Sequence, residues 1–393
     1  MNLPAFLDEK ISKYADRLAI RCNFDDMTYA QLGEKVYRLA ANLKRAGIKK
    51  GDIVHVYLPN SPEVLISFFA IQAIGAIAGP VNTWFKSEEL MYLFQDSQAK
   101  ALIIDSQYIP TLEKIIDNFP NLQLIIKDQE DSDPNRPCLA SWIEDGQATD
   151  LTVEVNGDDP AFIFYTSGTT GDPKGVLLSH KGVIADALQV NQRLELEGQS
   201  LTSLVLLPLF HAYAMLTSIC SIAFGHTIAL CKRFSATEFW GDVEGYEANY
   251  FSAVPAIYNI LLSNPRPVEE DYSSLMFGIC GSAPMPSAVL KKFESRFNIN
   301  IIEGYGLTEA TCVSTLNPRK GVRKAGSIGL PLEGQKVVIL DESGQVAPVG
   351  VRGEIAVKGE PVMIGYLNRP KDTQSALEGG YLHTGDIGYM DED

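Results

Sequence analysis

A chain of 393 residues is longer than one hydrophobic core usually supports, so two or three subdomains are expected. Its 46% apolar and 21% charged residues are an ordinary globular balance. A net charge of −16 without a basic tract speaks against nucleic acid as a partner, because phosphate backbones demand clustered Lys and Arg.

Met1-Asn2-Leu3-Pro4 leads into a charged amphipathic helix and not a signal peptide, so the cytoplasm is the expected compartment. Thr28-x-x-Gln31 reads as a capping box, followed by Leu32, Val36, Leu39 and Leu43 on one helical face and a stop at Gly47. A strand over 52–58 follows, then a helix capped by Ser61, and short buried strands at 101–104 and 122–126. Helices alternating with apolar strands are the mark of an open α/β sheet. The uncharged stretch 64–81 is broken by Gln72, Gly75, Gly79 and Pro80, and 198–231 by Pro208, His211, Gly225 and His226. Neither supplies the twenty or so unbroken apolar residues of a spanning helix, so both are assigned to buried core. The six cysteines (Cys22, Cys138, Cys220, Cys231, Cys280, Cys312) lie far apart, as reduced core thiols do.

Residues 128–160 are acidic and polar, a surface connection to a second alternation over 161–310. That second set has strands expected at 203–207, 226–230, 276–280 and 300–302. Behind the apolar run 161–164 comes Tyr165-Thr166-Ser167-Gly168-Thr169-Thr170-Gly171-Asp172-Pro173-Lys174-Gly175, with three glycines, four Ser/Thr hydroxyls and one lysine. Glycines let the backbone approach a ligand, successive N–H groups converge on an anion, and hydroxyls and a lysine suit phosphate. This is a phosphate cradle, though not a P-loop, since no lysine followed by Ser/Thr closes a G-x-x-x-x-G frame. After Thr311 the texture changes to short antiparallel strands: 327–329, 336–340, a turn at Asp341-Glu342-Ser343-Gly344, then 353–357. The expected division is 1–155 and 156–310 as two doubly wound α/β subdomains, and 311–393 as a small β-barrel subdomain.

The loop resembles the signature of the acyl-adenylate-forming superfamily: acyl-CoA synthetases, aryl-CoA ligases, nonribosomal peptide adenylation domains and luciferases. Three further segments, in the same order as in that family, carry the resemblance across the chain. Glu303-Gly304-Tyr305-Gly306-Leu307-Thr308-Glu309-Ala310 follows a predicted strand, where open α/β sheets hold ligands. Tyr305 can lie against a purine, Thr308 offers a phosphate donor, and Glu309 a hard oxygen for Mg²⁺; the resemblance implies those three roles. Gly281-Ser282-Ala283-Pro284 is similar to the family's adenine-contacting turn. Leu382-His383-Thr384-Gly385-Asp386 is similar to the segment whose aspartate grips both ribose hydroxyls, a task that suits a two-oxygen acceptor.

The resemblance implies the large domain of an AMP-forming acid–thiol ligase, with ATP and Mg²⁺ as cofactors and coenzyme A as co-substrate. Thr166, Lys174, Thr308 and Glu309 are the expected catalytic groups. Family members continue through a hinge into a small C-terminal domain. A chain ending at Asp391-Glu392-Asp393 is therefore expected to be the large domain alone, impaired in turnover, or to be completed by a partner. The acyl pocket is expected around Phe210 and His211, with Gly304 and Gly306 on its nucleotide side. Amino-acid adenylation domains place an aspartate in this region, and none occurs over 198–231; malonate-type relatives place an arginine where Gly304 sits. Fatty acids are thus the favoured substrates, with aryl acids open. Fatty acyl-AMP ligases, which load a carrier protein, typically carry an insertion where only a short connection joins Thr311 to Gly326. CoA therefore leads as acceptor, and a binding module that holds acyl-AMP without turnover is the alternative of another class.

Overall fold

The computed structural model describes residues 1–22, 25–128, 137–145, 153–166, 171–264 and 271–393. Among these residues the strands form sheets of nine, seven and three.

The capping box is formed: Thr28 Oγ1 accepts from the Gln31 amide (3.2 Å) and Gln31 Oε1 from the Thr28 amide (2.8 Å). Helix Tyr29–Arg45 buries Leu32, Val36, Leu39 and Leu43 and ends just before Gly47. Strand Ile53–Tyr57 follows, buried throughout. Ser61 stands at the start of helix Pro62–Ala73 but makes no capping bond; Pro62, which needs no amide partner, opens that helix instead. From Val64 onward the helix is buried on every side, as is strand Ile77–Pro80, which explains the uncharged run. Among the described residues no helix is long and apolar enough to cross a membrane. None of the six cysteines is in a disulfide; five are buried and Cys312 is half-buried.

The seven-stranded sheet is built on parallel neighbours Ile77–Pro80, Ile53–Tyr57, Ala101–Ile104 and Gln123–Ile126. Its other flank is the antiparallel pair Pro160–Thr166 and Lys174–Ser179, closed by the short strand Gly365–Tyr366. The nine-stranded sheet has a parallel centre, running Asn300–Tyr305, Phe277–Cys280, Tyr250–Ala253, Thr202–Val205, Thr227–Leu230 and Leu18–Cys22. Helix His180–Leu194, capped by Ser179 Oγ on the Gly182 amide, follows the antiparallel pair and helps carry one core across both sheets.

Sheet membership departs from the expected boundary at 155/156. Leu18–Cys22 and Asp25–Thr28 join the nine-stranded sheet, where Ile20 pairs with Ile228, and 160–179 completes the seven-stranded one, where Phe162 pairs with Ala78. A strand goes to whichever free edge tertiary packing offers it, and no local pattern encodes that edge. The β-rich section contains an open three-stranded antiparallel sheet of Lys336–Leu340, Gly353–Lys358 and Leu382–Gly388 and not a closed barrel. The strand expected at 327–329 is displaced to Leu330–Pro331, which pairs with Thr315–Leu316 on the edge of the large sheet. The turn at Asp341 is present, its Oδ1 accepting from the Ser343 and Gln345 amides.

Candidate active site

Strand Asn300–Tyr305 is longer than the 300–302 expected because Thr315–Leu316 pairs with Gly304 and Tyr305. That return strand folds the following segment back on itself. A Cβ on Gly306 would lie 1.8 Å from the Cys312 carbonyl oxygen, so only glycine fits there. Thr308, Glu309 and Ala310 form one turn of 3₁₀ helix. Thr311 then adopts φ +66°, ψ −62°, a strained γ-turn closed by the Cys312 amide on the Ala310 carbonyl (2.8 Å). Its buried hydroxyl donates to the Pro361 carbonyl (2.7 Å), and the Met363 amide donates to the Glu309 carbonyl (2.8 Å). The Thr308–Thr311 turn is thus clamped between a return strand and the 361–363 segment.

Lys174 lies on the facing wall. Thr166 and Lys174 are ladder partners at the open end of the antiparallel pair, so the hydroxyl-rich loop is the hairpin connection between them. Within it Ser167, Gly168, Thr169 and Thr170 lie outside the described residues, and Gly171 is exposed with φ +147°. Lys174 Nζ stands 5.0 Å from the Tyr366 ring centroid and 3.3 Å from Asp372 Oδ2. Tyr366 donates its hydroxyl to Glu309 Oε1 at 3.0 Å. One tyrosine therefore bridges the cradle lysine to the expected metal carboxylate, and neither Tyr366 nor Asp372 was marked by the motif reading. The nearest local signal is the Gly365-Tyr366 pair itself, which reads as an ordinary turn until its strand is seen on the sheet edge.

Tyr305 donates its hydroxyl to Asp386 Oδ2 at 2.6 Å, which brings the expected adenine and ribose contacts together. Burial, and then the hydrogen bond to Asp386, holds the Tyr305 phenol well above its usual range. Asp386 is exposed and oriented by its neighbours: its amide donates to Thr384 Oγ1 (3.1 Å), and the Gly385 amide to Glu354 Oε1 (2.8 Å).

A cavity of about 420 Å³ opens beside these strand ends. Its lining combines the strand-end segments Gly281, Ser282 and Gly304 to Glu309 with the apolar side chains of Leu207, Pro208, Val254, Ile279, Val313 and Leu316. His211 stands exposed on the same lining, and partial desolvation holds its imidazole below the ordinary histidine value. Glu309 is the only charged group lining the cavity among the described residues. The structure thus gathers His211, Gly281, Ser282, Gly304, Tyr305, Gly306, Thr308 and Glu309 around one space. Ala283, Pro284, Thr166, Lys174 and Asp386 do not line it. Phe210 also lies off the lining, packed edge-on against Trp84 with ring centroids 5.9 Å apart.

A strand-end cavity that combines polar backbone groups with an apolar lining suits a ligand that is half nucleotide and half acyl group, the hallmark of an adenylate-forming ligase. The comparisons with known proteins agree: the chain belongs to the AMP-binding enzyme family, whose model matches residues 7–367. It is 32% identical over 409 residues to an oxalate–CoA ligase of Arabidopsis thaliana, covering 100% of this chain and 77% of that protein. It is 33% identical to the long-chain-fatty-acid–CoA ligase FadD13 of Mycobacterium tuberculosis, covering 93% of this chain and 72% of that protein. The crystal structure of the anthranilate CoA ligase AuaEII in complex with anthranoyl-AMP matches with a TM-score of 0.94 at 26% identity, covering 100% of this chain and 76% of that one. The chain is an acid–thiol ligase of the AMP-forming acyl-CoA synthetase type, which uses ATP to convert a carboxylic acid to an acyl-adenylate.

Proposed function

We propose that the acid is an aliphatic, medium- to long-chain fatty acid and that the acyl group passes from AMP to coenzyme A. The observation that carries this reading is the uncharged apolar part of the cavity lining, from Leu207 to Leu316. An ammonium group or a second carboxylate would be stripped of water there without a partner, which costs several kcal/mol or about as much as the binding energy of a weak ligand. A hydrocarbon chain loses nothing by entering.

Adenylation joins two anions: the carboxylate oxygen attacks the α-phosphorus of ATP, and the bond to pyrophosphate breaks. The residues must therefore neutralise charge and hold the reactants in line. In this reading Tyr305 covers the adenine, Gly281 and Ser282 meet its edge, and Asp386 takes the ribose hydroxyls once its bond to Tyr305 is exchanged. Lys174, with Thr166 and the rest of the hydroxyl-rich loop, meets the outer phosphates, and Thr308 donates to the α-phosphate. Glu309 would hold Mg²⁺; no cluster of three ligating side chains exists among the described residues, so the ion would draw its other oxygens from phosphates and water, as Mg²⁺ commonly does. Bound there, it would supply Lewis-acid stabilisation of the phosphates.

The test is thermal stabilisation by non-hydrolysable adenylates bearing acetyl, octanoyl, palmitoyl, cinnamoyl and aminoacyl groups. A ligand at a hundred-fold excess over its Kd stabilises by about 2.7 kcal/mol. Octanoyl and palmitoyl analogues are expected to raise the melting temperature most. A larger shift with the cinnamoyl or aminoacyl compound would overturn the aliphatic assignment, and no shift with any would overturn the cavity as the adenylate site.

A further inference from the structure

Asp186, on helix His180–Leu194, is fully buried beneath this site. Its Oδ2 accepts from the Val313 amide at 3.0 Å, while Oδ1 is buried without a partner. Desolvation raises this carboxyl well above its ordinary range, opposed only by the backbone N–H groups of Val313 and Cys312. A buried carboxyl lacking a cation is costly, so a position that retains one calls for a function that an apolar residue would not serve.

What it holds is the floor of the cavity. Cys312 and Val313 both line that space, Gly306 rests directly on the Cys312 carbonyl, and the strained Thr311 turn separates them from Glu309. Val313 is gripped from the other side too: Gln335 Nε2 donates to its carbonyl (2.8 Å) and to Gln189 Oε1 (2.9 Å). Released from these two anchors, the turn could relax, since its backbone conformation is one that the chain adopts only when its surroundings impose it.

We propose that Asp186 is a positioning residue: through the Val313 amide it pins the Thr311–Val313 turn, and so holds Gly306, Thr308 and Glu309 in the arrangement that binds an acyl-adenylate. The proposal rests on the adenylate reading of the cavity, and it concerns a residue that touches neither substrate nor nucleotide.

The experiment measures the affinity of an acyl-sulfamate analogue of octanoyl-AMP, with each variant held well below its own melting temperature. Asp186→Asn keeps an oxygen acceptor for the Val313 amide and is expected to bind like the unsubstituted chain. Asp186→Ala removes the acceptor and is expected to bind about ten-fold more weakly, with the Val313 amide losing its protection from hydrogen exchange. Gln335→Leu loosens the same turn from the opposite side without disturbing the buried carboxyl, and is expected to weaken binding as well; it decides the matter if Asp186→Ala does not fold. Unchanged affinity in the Ala and Leu variants, whatever their stability, would reduce Asp186 to a structural residue. An Asn variant as weak as Ala would show that accepting the Val313 bond is not what matters. Absence of binding to the unsubstituted chain would instead overturn the adenylate site, and the proposal with it.

Discussion

Glu309 is half-buried, and its carboxylate is committed to one hydrogen bond, from Tyr366. The residue also lines the cavity. Glu309→Gln keeps an acceptor for the Tyr366 hydroxyl while removing the charge, so the fold should persist and the chemistry should not. ATP–pyrophosphate exchange is expected to fall by about 10²–10³-fold, the usual consequence of losing one group that stabilises developing charge. A thermal melt on the same sample should show an unchanged midpoint; an unfolded variant would mean that the residue belongs to the core. Lys174 presents the opposite arrangement. Its partner Asp372 is well solvated, and such a pair is weak, so the lysine can leave it for a phosphate at little cost. That availability was legible from the cradle motif, whereas the resting partner was not.

At the scale of the element, the segment from Gly304 to Val313 is a strand end, a 3₁₀ turn and a γ-turn compressed against a return strand. Its residue order was enough to place a tyrosine between glycines and a carboxylate four positions after it. Only the folded chain explains why both glycines are needed, since the neighbours that exclude a side chain are Cys312 in the γ-turn and Leu316 on the return strand. Gly306→Ala drives a methyl into the Cys312 carbonyl, and relief requires the turn to shift. Overpacking of this kind typically costs about 1–3 kcal/mol, and here the displaced atoms line the cavity. We expect chemical denaturation to register that loss, and acyl-adenylate binding to fall by more than stability alone accounts for. Full-affinity binding by this variant would contradict the geometry given for the segment.

At the scale of the molecule, three of the five histidines are buried as neutral rings. Burial lowers His55, His180 and His226 from 6.5 to about 4. His55 shows how: its Nδ1–H donates to the Gly79 carbonyl (2.9 Å) and Nε2 is paired with the Ser97 hydroxyl (2.9 Å), so the neutral ring is fully satisfied and no carboxylate stands by to offset the burial of a charge. Because the folded rings resist protonation that the unfolded chain accepts, their contribution is intact above pH 6.5 and is lost as the pH falls towards 4. The carboxyls of Asp186, Asp242 and Glu303 work in the opposite sense, since a raised carboxyl favours the folded state most in acid, whereas lowered carboxyls such as Glu63 and Asp159 lose their contribution in acid as the rings do. The rings and the lowered carboxyls act together, so the melting temperature should drop from pH 6.5 to 4, and His180→Gln should make that slope shallower; a flat profile would refute the assignment. Strand Leu18–Cys22, second from the edge of the nine-stranded sheet, gives a second test. It pairs with Thr227–Leu230, and Tyr29, just beyond the hairpin it forms, donates to the His226 carbonyl (2.7 Å). Amides of 18–22 and 227–230 should therefore exchange with a common opening free energy, and early exchange of the former alone would mean that this strand opens independently of the sheet centre.

The linear order of residues by itself determined the capped helix Tyr29–Arg45, the buried parallel strands and the four family motifs, because each is written in contiguous side chains whose periodicity or donor set is local. Tertiary structure alone decided where Leu18–Cys22 and the hairpin at 160–179 belong, that Tyr366 spans from Lys174 to Glu309, and that Asp186 meets the Val313 amide. Those pairings join segments far apart in the chain. Their free energy comes from edges and buried faces that exist only once both sheets have formed, so no window of the sequence contains them.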